Sequence, residues 1–331
     1  MAASSRWGRA RRAASAIGPG LVVALVISWI CATRGGEILA ALAACPPWVL
    51  AGATSAHLLT LALRTEAWRT VLAAAGGRGL TSRTLHAANS GAFLAGTVQG
   101  HAAMPVRIAL LRRLGGKDCP GVAQIALADG PILLLEVCTS ALLAAIAATA
   151  VPAIPDWMPV AMFLLALVIL WALRLIHRRF RHRPLAAGLA VLGDSRLRSR
   201  LAAVVLAFTA MPMLRTWIVL VGFGLPSGPV DVALVFFSMG AIGLLPIGLG
   251  TGPTATVGAL GTANLATATA AGIVVGAATV LAVLLYAGAC WTLGARFTGG
   301  DVDAAEPATV IPLPVRGRRT AEAEIDLAAL A

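Results

Sequence analysis

Four ionisable residues, Arg107, Asp129, Glu136 and Arg215, stand in or beside long apolar stretches of this 331-residue chain. A charge at bilayer depth is costly, so such residues face a partner or a polar cavity. Asp129 and Glu136 are seven positions apart, two turns of one helix, and therefore share a face. Arg215 follows Pro212 by three positions, where a proline bends a helix. The arginines suit an anion, a phosphate above all, because a guanidinium offers a fork of donors. The carboxylates suit either an ion pair or general-base work. One arrangement pairs Asp129 or Glu136 with Arg215 and turns Arg107 toward the same cavity; the other is a structural ion pair that fixes helix packing. His57 and His101 are weaker candidates, since a lone histidine usually serves as a hydrogen-bonded packing residue.

The element that must position these charges is a broken one. Residues 243–255 read GLLPIGLGTGPTA, four glycines and two prolines inside an apolar region. Irregular backbone at membrane depth is tolerated only where protein buries it or a polar cavity adjoins it. Gly248, Gly250 and Gly252 permit φ > 0 and close approach, and Pro253 suits the first turn of a half-helix running to about Leu260. Such a half-helix would aim free N–H groups and its positive dipole end at the membrane middle, where they attract phosphate. Tight helix packing is the alternative use of these glycines. A second irregular stretch, residues 86–113, reads as another re-entrant or interfacial element, with Pro105 starting the helix that carries Arg107.

Composition sets the solvent. Hydrophobic residues make up 59% of the chain and charged residues 12%, with a mean hydropathy of +0.86, which excludes a water-soluble domain. A crossing helix needs about 20 apolar residues. Spans are expected at 17–33, 46–63, 121–150, 157–176, 201–223 and 265–295, with a shorter apolar element at 232–245. The fold class is all-α, a polytopic transmembrane bundle of about six to eight membrane elements, one or two of them re-entrant. Residues 1–16 form a basic N-terminal segment, 17–298 the membrane domain and 299–331 a flexible tail. The run IGPGLVVALVISWICAT lacks a small-residue cleavage site and is expected to remain as the first span.

Net charge is +12, yet its distribution argues against nucleic acid as a partner. The basic segments, Arg6 to Arg12, Arg64 to Lys117, Arg174 to Arg200 and Arg296 to Arg319, fall on one side of the expected spans, which makes that side cytoplasmic. Both termini are then cytoplasmic in a multi-pass cell-membrane protein. The opposite connections, RGGEILAALAACPP, VPAIPDW and LPSGPVD, are short and poor in basic residues. Trp48, Trp68, Trp157 and Trp291 lie near expected span ends, where indoles favour the interface. The charge rule also calls for a hairpin at 232–260, because a full crossing there would leave the tail outside.

Three short motifs carry a family resemblance. LRTEAWRTVL (63–72), AMPVRIALLRR (103–113) and PIGLGTGPTA (246–255) stand in the order of an Arg-Trp motif, a Gly-Glu-x-x-Arg motif and a late Pro-Gly-Gly-x-Gly-x-x-Glu motif. Over most of residues 17–295 the chain resembles the transmembrane region of lysylphosphatidylglycerol synthases, the flippase-like membrane proteins. It departs from them where Ala103 and Met104 replace Gly-Glu, leaving Arg107 as the match, and where no glutamate follows Pro246, Gly248 and Gly250. The soluble aminoacyl-transferring domain is expected to be absent, residues 296–331 being too few for it.

The sequence thus points to a protein that binds or translocates an anionic lipid, a phospholipid or polyprenyl phosphate, through a midplane cavity. Arg107 and Arg215 would hold the phosphate. The alternatives are a membrane-embedded transferase with Asp129 or Glu136 as general base, and a non-catalytic subunit that acts beside a second copy or a membrane partner protein. No HExxH, GxSxG, Walker A or dinucleotide fingerprint occurs, and the five cysteines form no ligand spacing, so neither a catalytic motif, a cofactor nor a metal is expected.

Overall fold

The computed structural model describes residues 25, 28–30, 32–77, 80–99, 102–116, 119–149, 157–180, 189–243, 251–260 and 265–295. The first apolar run up to residue 24, Gly248 and Gly250, and the tail from residue 296 lie outside these. The described helices are α1 (Ala32–Ala44), α2 (Pro47–Ala74), α3 (Ser82–Val98), α4 (Ala103–Gly115), α5 (Val122–Ala148), α6 (Trp157–Phe180), α7 (Ser195–Gly222), α8 (Pro229–Gly243), α9 (Thr251–Leu260) and α10 (Leu265–Ala295). They form a helical membrane bundle. Among the described residues, three stretches are long and apolar enough to cross a bilayer by themselves: Val122–Ile146, Ser195–Gly222 and Leu265–Thr292.

Two expectations about element boundaries are corrected. The connection RGGEILAALAACPP is largely helical, because Glu37 to Ala44 are strong helix formers, and α1 meets α2 at a bend of 82°. Pro46, in extended conformation, stops α1, and Pro47 opens α2 at a position whose N–H would be unpaired anyway. Second, α2 does not end near residue 63 but continues to Ala74. Its final turns carry Trp68, Val71 and Leu72, all fully buried against Leu85, Leu111, Ile125 and Phe208 of α3, α4, α5 and α7. Gly76, at φ +99°, supplies the left-handed residue that ends α2, and Gly77 N then donates to Leu72 O at 2.9 Å.

The short elements match the expected breaks. With 15 and 10 residues, α8 and α9 rise about 22 and 15 Å, each short of a roughly 30 Å hydrocarbon core, and they pack on one another. The half-helix starts at Thr251 rather than Pro253, so Gly252 lies within its first turn. Pro253 is buried and still inside the turn whose N–H groups have no helical partner. Likewise α3 and α4 are 17 and 13 residues long and packed together, with Pro105 in the first turn of α4.

Helices in lipid gain little from apolar burial against one another, so close packing and internal hydrogen bonding hold them. A Cβ at Gly222 of α7 would collide with Val49 of α2, which makes this the closest approach of that helix pair among the glycines described. Threonine hydroxyls of Thr60, Thr65, Thr209 and Thr279 return to the carbonyl four residues earlier, whereas Thr54 Oγ1 is buried without a partner in the protein. Tyr286 ties α10 to the rest: its hydroxyl lies 2.8 Å from Thr65 Oγ1 and 2.6 Å from His86 Nδ1.

Candidate functional site

The polar interior is organised by one face of α2. His57, Arg64 and Trp68 are spaced by seven and four residues, so they stack along that face, about 10 and 6 Å apart in helical rise. Each meets a different group of partners.

At the level of Trp68, Arg107 of α4 is 5% exposed. Its Cζ lies 4.3 Å from the Trp68 ring centroid and 5.9 Å from that of Phe93, and its Nε donates to Asn89 Oδ1 at 2.7 Å. No carboxylate stands within ion-pair distance of it among the described residues; Asp129, half-buried on α5, acts on it electrostatically from farther off. Two neighbouring donors are left over. Trp68 Nε1 and Asn89 Nδ2 are buried without a hydrogen-bond partner in the protein. Indole N–H, amide N–H and guanidinium all donate, so the pocket accommodates a group made of acceptors.

One level along, Arg64 pairs with Glu136 of α5 at 3.1 Å and sits over the Phe208 ring at 5.6 Å. At the level of His57, Arg215 of α7 is 8% exposed and its Nη1 donates to Thr279 Oγ1 at 2.7 Å and to His57 Nδ1 at 3.1 Å. A guanidinium cannot accept, so His57 Nδ1 must carry the lone pair and the imidazole is the neutral Nε2–H tautomer. Arg215 Nε is buried with no partner.

The expected pairing of Asp129 or Glu136 with Arg215 is therefore corrected. Glu136 lies at the level of Arg64, about 10 Å of helical rise from the level where Arg215 meets α2, and the nearer arginine takes it. Nor do the two buried arginines share one pocket: their contacts on α2, Trp68 and His57, are about 16 Å apart along the axis. Asp129 and Glu136 both belong to α5 as expected, but one neighbours Arg107 and the other binds Arg64. Gly252 and Pro253 open α9, whose far end, Ala259 and Leu260, packs into the cluster of Val49, Val219 and Leu220.

Three contributors escaped the sequence reading. Trp68, expected at the interface, is fully buried beneath Arg107, whereas Trp48, Trp157 and Trp291 are exposed. Asn89 was read within the re-entrant or interfacial stretch 86–113 and Arg64 as the start of a basic segment, neither as a site residue. The signal for Arg64 and Trp68 was their spacing with His57 on one helical face, hidden by ending the span at residue 63.

The contact between Trp68 and Arg107 joins two separate motif segments, LRTEAWRTVL and AMPVRIALLRR. The family model described as the lysylphosphatidylglycerol synthase TM region matches residues 16–290. The chain belongs to this family. It is accordingly a membrane protein of a family connected with lipid handling. Among curated proteins, none matches. Trp68 and Arg107, which meet in space, are 39 positions apart in the chain.

Proposed function

We propose that this protein binds an anionic lipid within its helical bundle and carries the headgroup across the membrane, with both termini on the cytoplasmic side. The observation that carries this reading is Arg107: a buried cation with no ion-pair partner among the described residues, flanked by two stranded donors, Trp68 Nε1 and Asn89 Nδ2. A buried charge without a counter-ion is strongly unfavourable. A phosphate would neutralise it and accept from all three groups. Arg64 and Arg215 offer further cationic positions along the same face of α2, at steps a headgroup could take in turn.

The transferase reading has one supporting observation, the electrostatic influence of Asp129 on Arg107, which would put a carboxylate in the field of a bound phosphate. Glu136 is the poorer base, being engaged by Arg64.

The test is native mass spectrometry of the purified chain with phosphatidylglycerol, a polyprenyl phosphate and phosphatidylcholine, followed by liposome translocation assays. The anionic lipids should bind selectively, Arg107→Gln should lower the number of anionic lipids bound per protein, and no lipid should be chemically altered. Equal binding of all three lipids would overturn the proposal, and turnover of any of them would establish the transferase.

A further inference from the structure

Away from the α2 stripe, α5, α6 and α7 line an open slot of about 800 Å³. On α6, Leu167, Leu170, Trp171 and Arg178 share one face, since the spacings of three, four and eleven positions return to the same side of a helix. The stripe is thus apolar for about one turn and ends in a guanidinium about 10 Å beyond Trp171. The facing stripe on α7 begins with Ser195, Arg198 and Ser199 in its first turns. Both arginines therefore stand toward the end of the slot where α6 leaves and α7 begins, and the apolar residues occupy the remainder.

We infer that this cavity is a second lipid site, which takes an anionic phospholipid sideways from the bilayer, one acyl chain along Leu167, Leu170 and Trp171 and the phosphate between Arg178 and Arg198. Its contents follow from its charge, both arginines being exposed. Arg178 has no hydrogen bond or ion pair among the described residues, and Arg198 has one weak bond, from Nη1 to Leu192 O at 3.3 Å. Asp194, the acid adjoining the slot, is occupied in capping α7 through Arg196 N and Leu197 N. No carboxylate lines the described wall to receive an ammonium, so a headgroup with net negative charge is favoured over a zwitterionic one. A free anion would use the arginines but not the apolar half. Trp171, 64% exposed on the protein alone, and Leu167, 45% exposed, are covered by the lipid chain. This site is independent of the interior arginines and stands whether or not they carry a headgroup.

The experiment uses the full chain in phosphatidylcholine nanodiscs doped with dibrominated phosphatidylglycerol or, in parallel, dibrominated phosphatidylcholine. Bromine quenches tryptophan at contact, and subtraction of the Trp171→Phe signal isolates Trp171. Brominated phosphatidylglycerol should quench Trp171 several-fold more than brominated phosphatidylcholine at the same mole fraction. Arg178→Gln with Arg198→Gln should abolish the preference, and the double lysine variant should keep it. Equal quenching by the two lipids, meaning ordinary annular contact, would overturn the inference on the parent protein alone. So would a preference that survives the double glutamine substitution in protein with an unchanged thermal transition. Selectivity measured at Arg107 is unaffected by these variants, so failure here and failure of the interior site are separable.

Discussion

Arg107 lies face-on over Trp68, with 4.3 Å from guanidinium carbon to ring centroid, and both side chains are buried. The ring face attracts the guanidinium while Asn89 Oδ1 accepts from its Nε. Trp68→Phe keeps an aromatic face for Arg107 and removes only the indole N–H. Binding of phosphatidylglycerol should weaken about tenfold, the value of one hydrogen bond to a charged group, with the fold retained. Trp68→Ala should instead cost about 3–5 kcal/mol of stability through the void it leaves. Lipid binding by Trp68→Phe equal to the parent's would remove the indole N–H from the site.

The Arg64–Glu136 pair predicts a rescue. Both side chains are roughly 30% exposed, 31% and 28%, so breaking the pair with Glu136→Gln should cost about 1–2 kcal/mol, between exposed and buried ion pairs. Exchanging the charges, Arg64→Glu with Glu136→Arg, should restore most of that stability in denaturant titrations. A stable Glu136→Gln variant that lacks lipid turnover would instead make the carboxylate a base.

Arg215 rests on Thr279 and His57, both uncharged. Thr279→Val conserves shape and strips the acceptor, so stability should fall by about 1–3 kcal/mol. Arg215→Leu relieves the buried charge and should remain monodisperse in detergent while losing anionic lipid binding. Normal lipid transport by that variant would assign Arg215 to packing alone.

Glycine positions separate packing from permissiveness. Gly222→Ala should lower stability by about 1–3 kcal/mol because the new methyl meets Val49, and Val49→Ala should recover part of the loss. Gly258, on α9, has open space around its Cα, so Gly258→Ala should be neutral or slightly stabilising through helix propensity. Thermal unfolding in one detergent measures all of these.

Orientation is tested by labelling. In a cysteine-free background, cysteines at positions 155 and 227 should react with an impermeant thiol reagent from outside, and cysteines at 181 and 318 should not. Reaction of position 318 from outside would sink the hairpin arrangement of α8 and α9.

Hydropathy alone located the long helices, because the cost of apolar residues in water and of unpaired backbone in lipid is set by composition along roughly 20 residues. The half-helix at 251–260 was legible for a similar reason: glycine and proline act on their own backbone, and their effect needs no distant partner. The end of α2 was not legible. A window that meets Arg64, Glu66 and Arg69 reads as a loop, yet the helix continues because Glu136 and Arg200 neutralise charges from 72 and 134 positions away.

The candidate site divides along the same line. The sequence by itself determined that Arg107 and Arg215 are cations in an apolar chain, each in need of a neutralising partner. Which groups they meet, Trp68 and Asn89 for one, His57 and Thr279 for the other, was decided only when helix rotation and depth were fixed by packing. Charge type is a property of a residue, whereas a pairing depends on two helices whose relative height no local spacing encodes. Glu136 shows the consequence: its face on α5 was predictable, but its partner was chosen by about 10 Å of rise along α2, which placed Arg64 rather than Arg215 within reach.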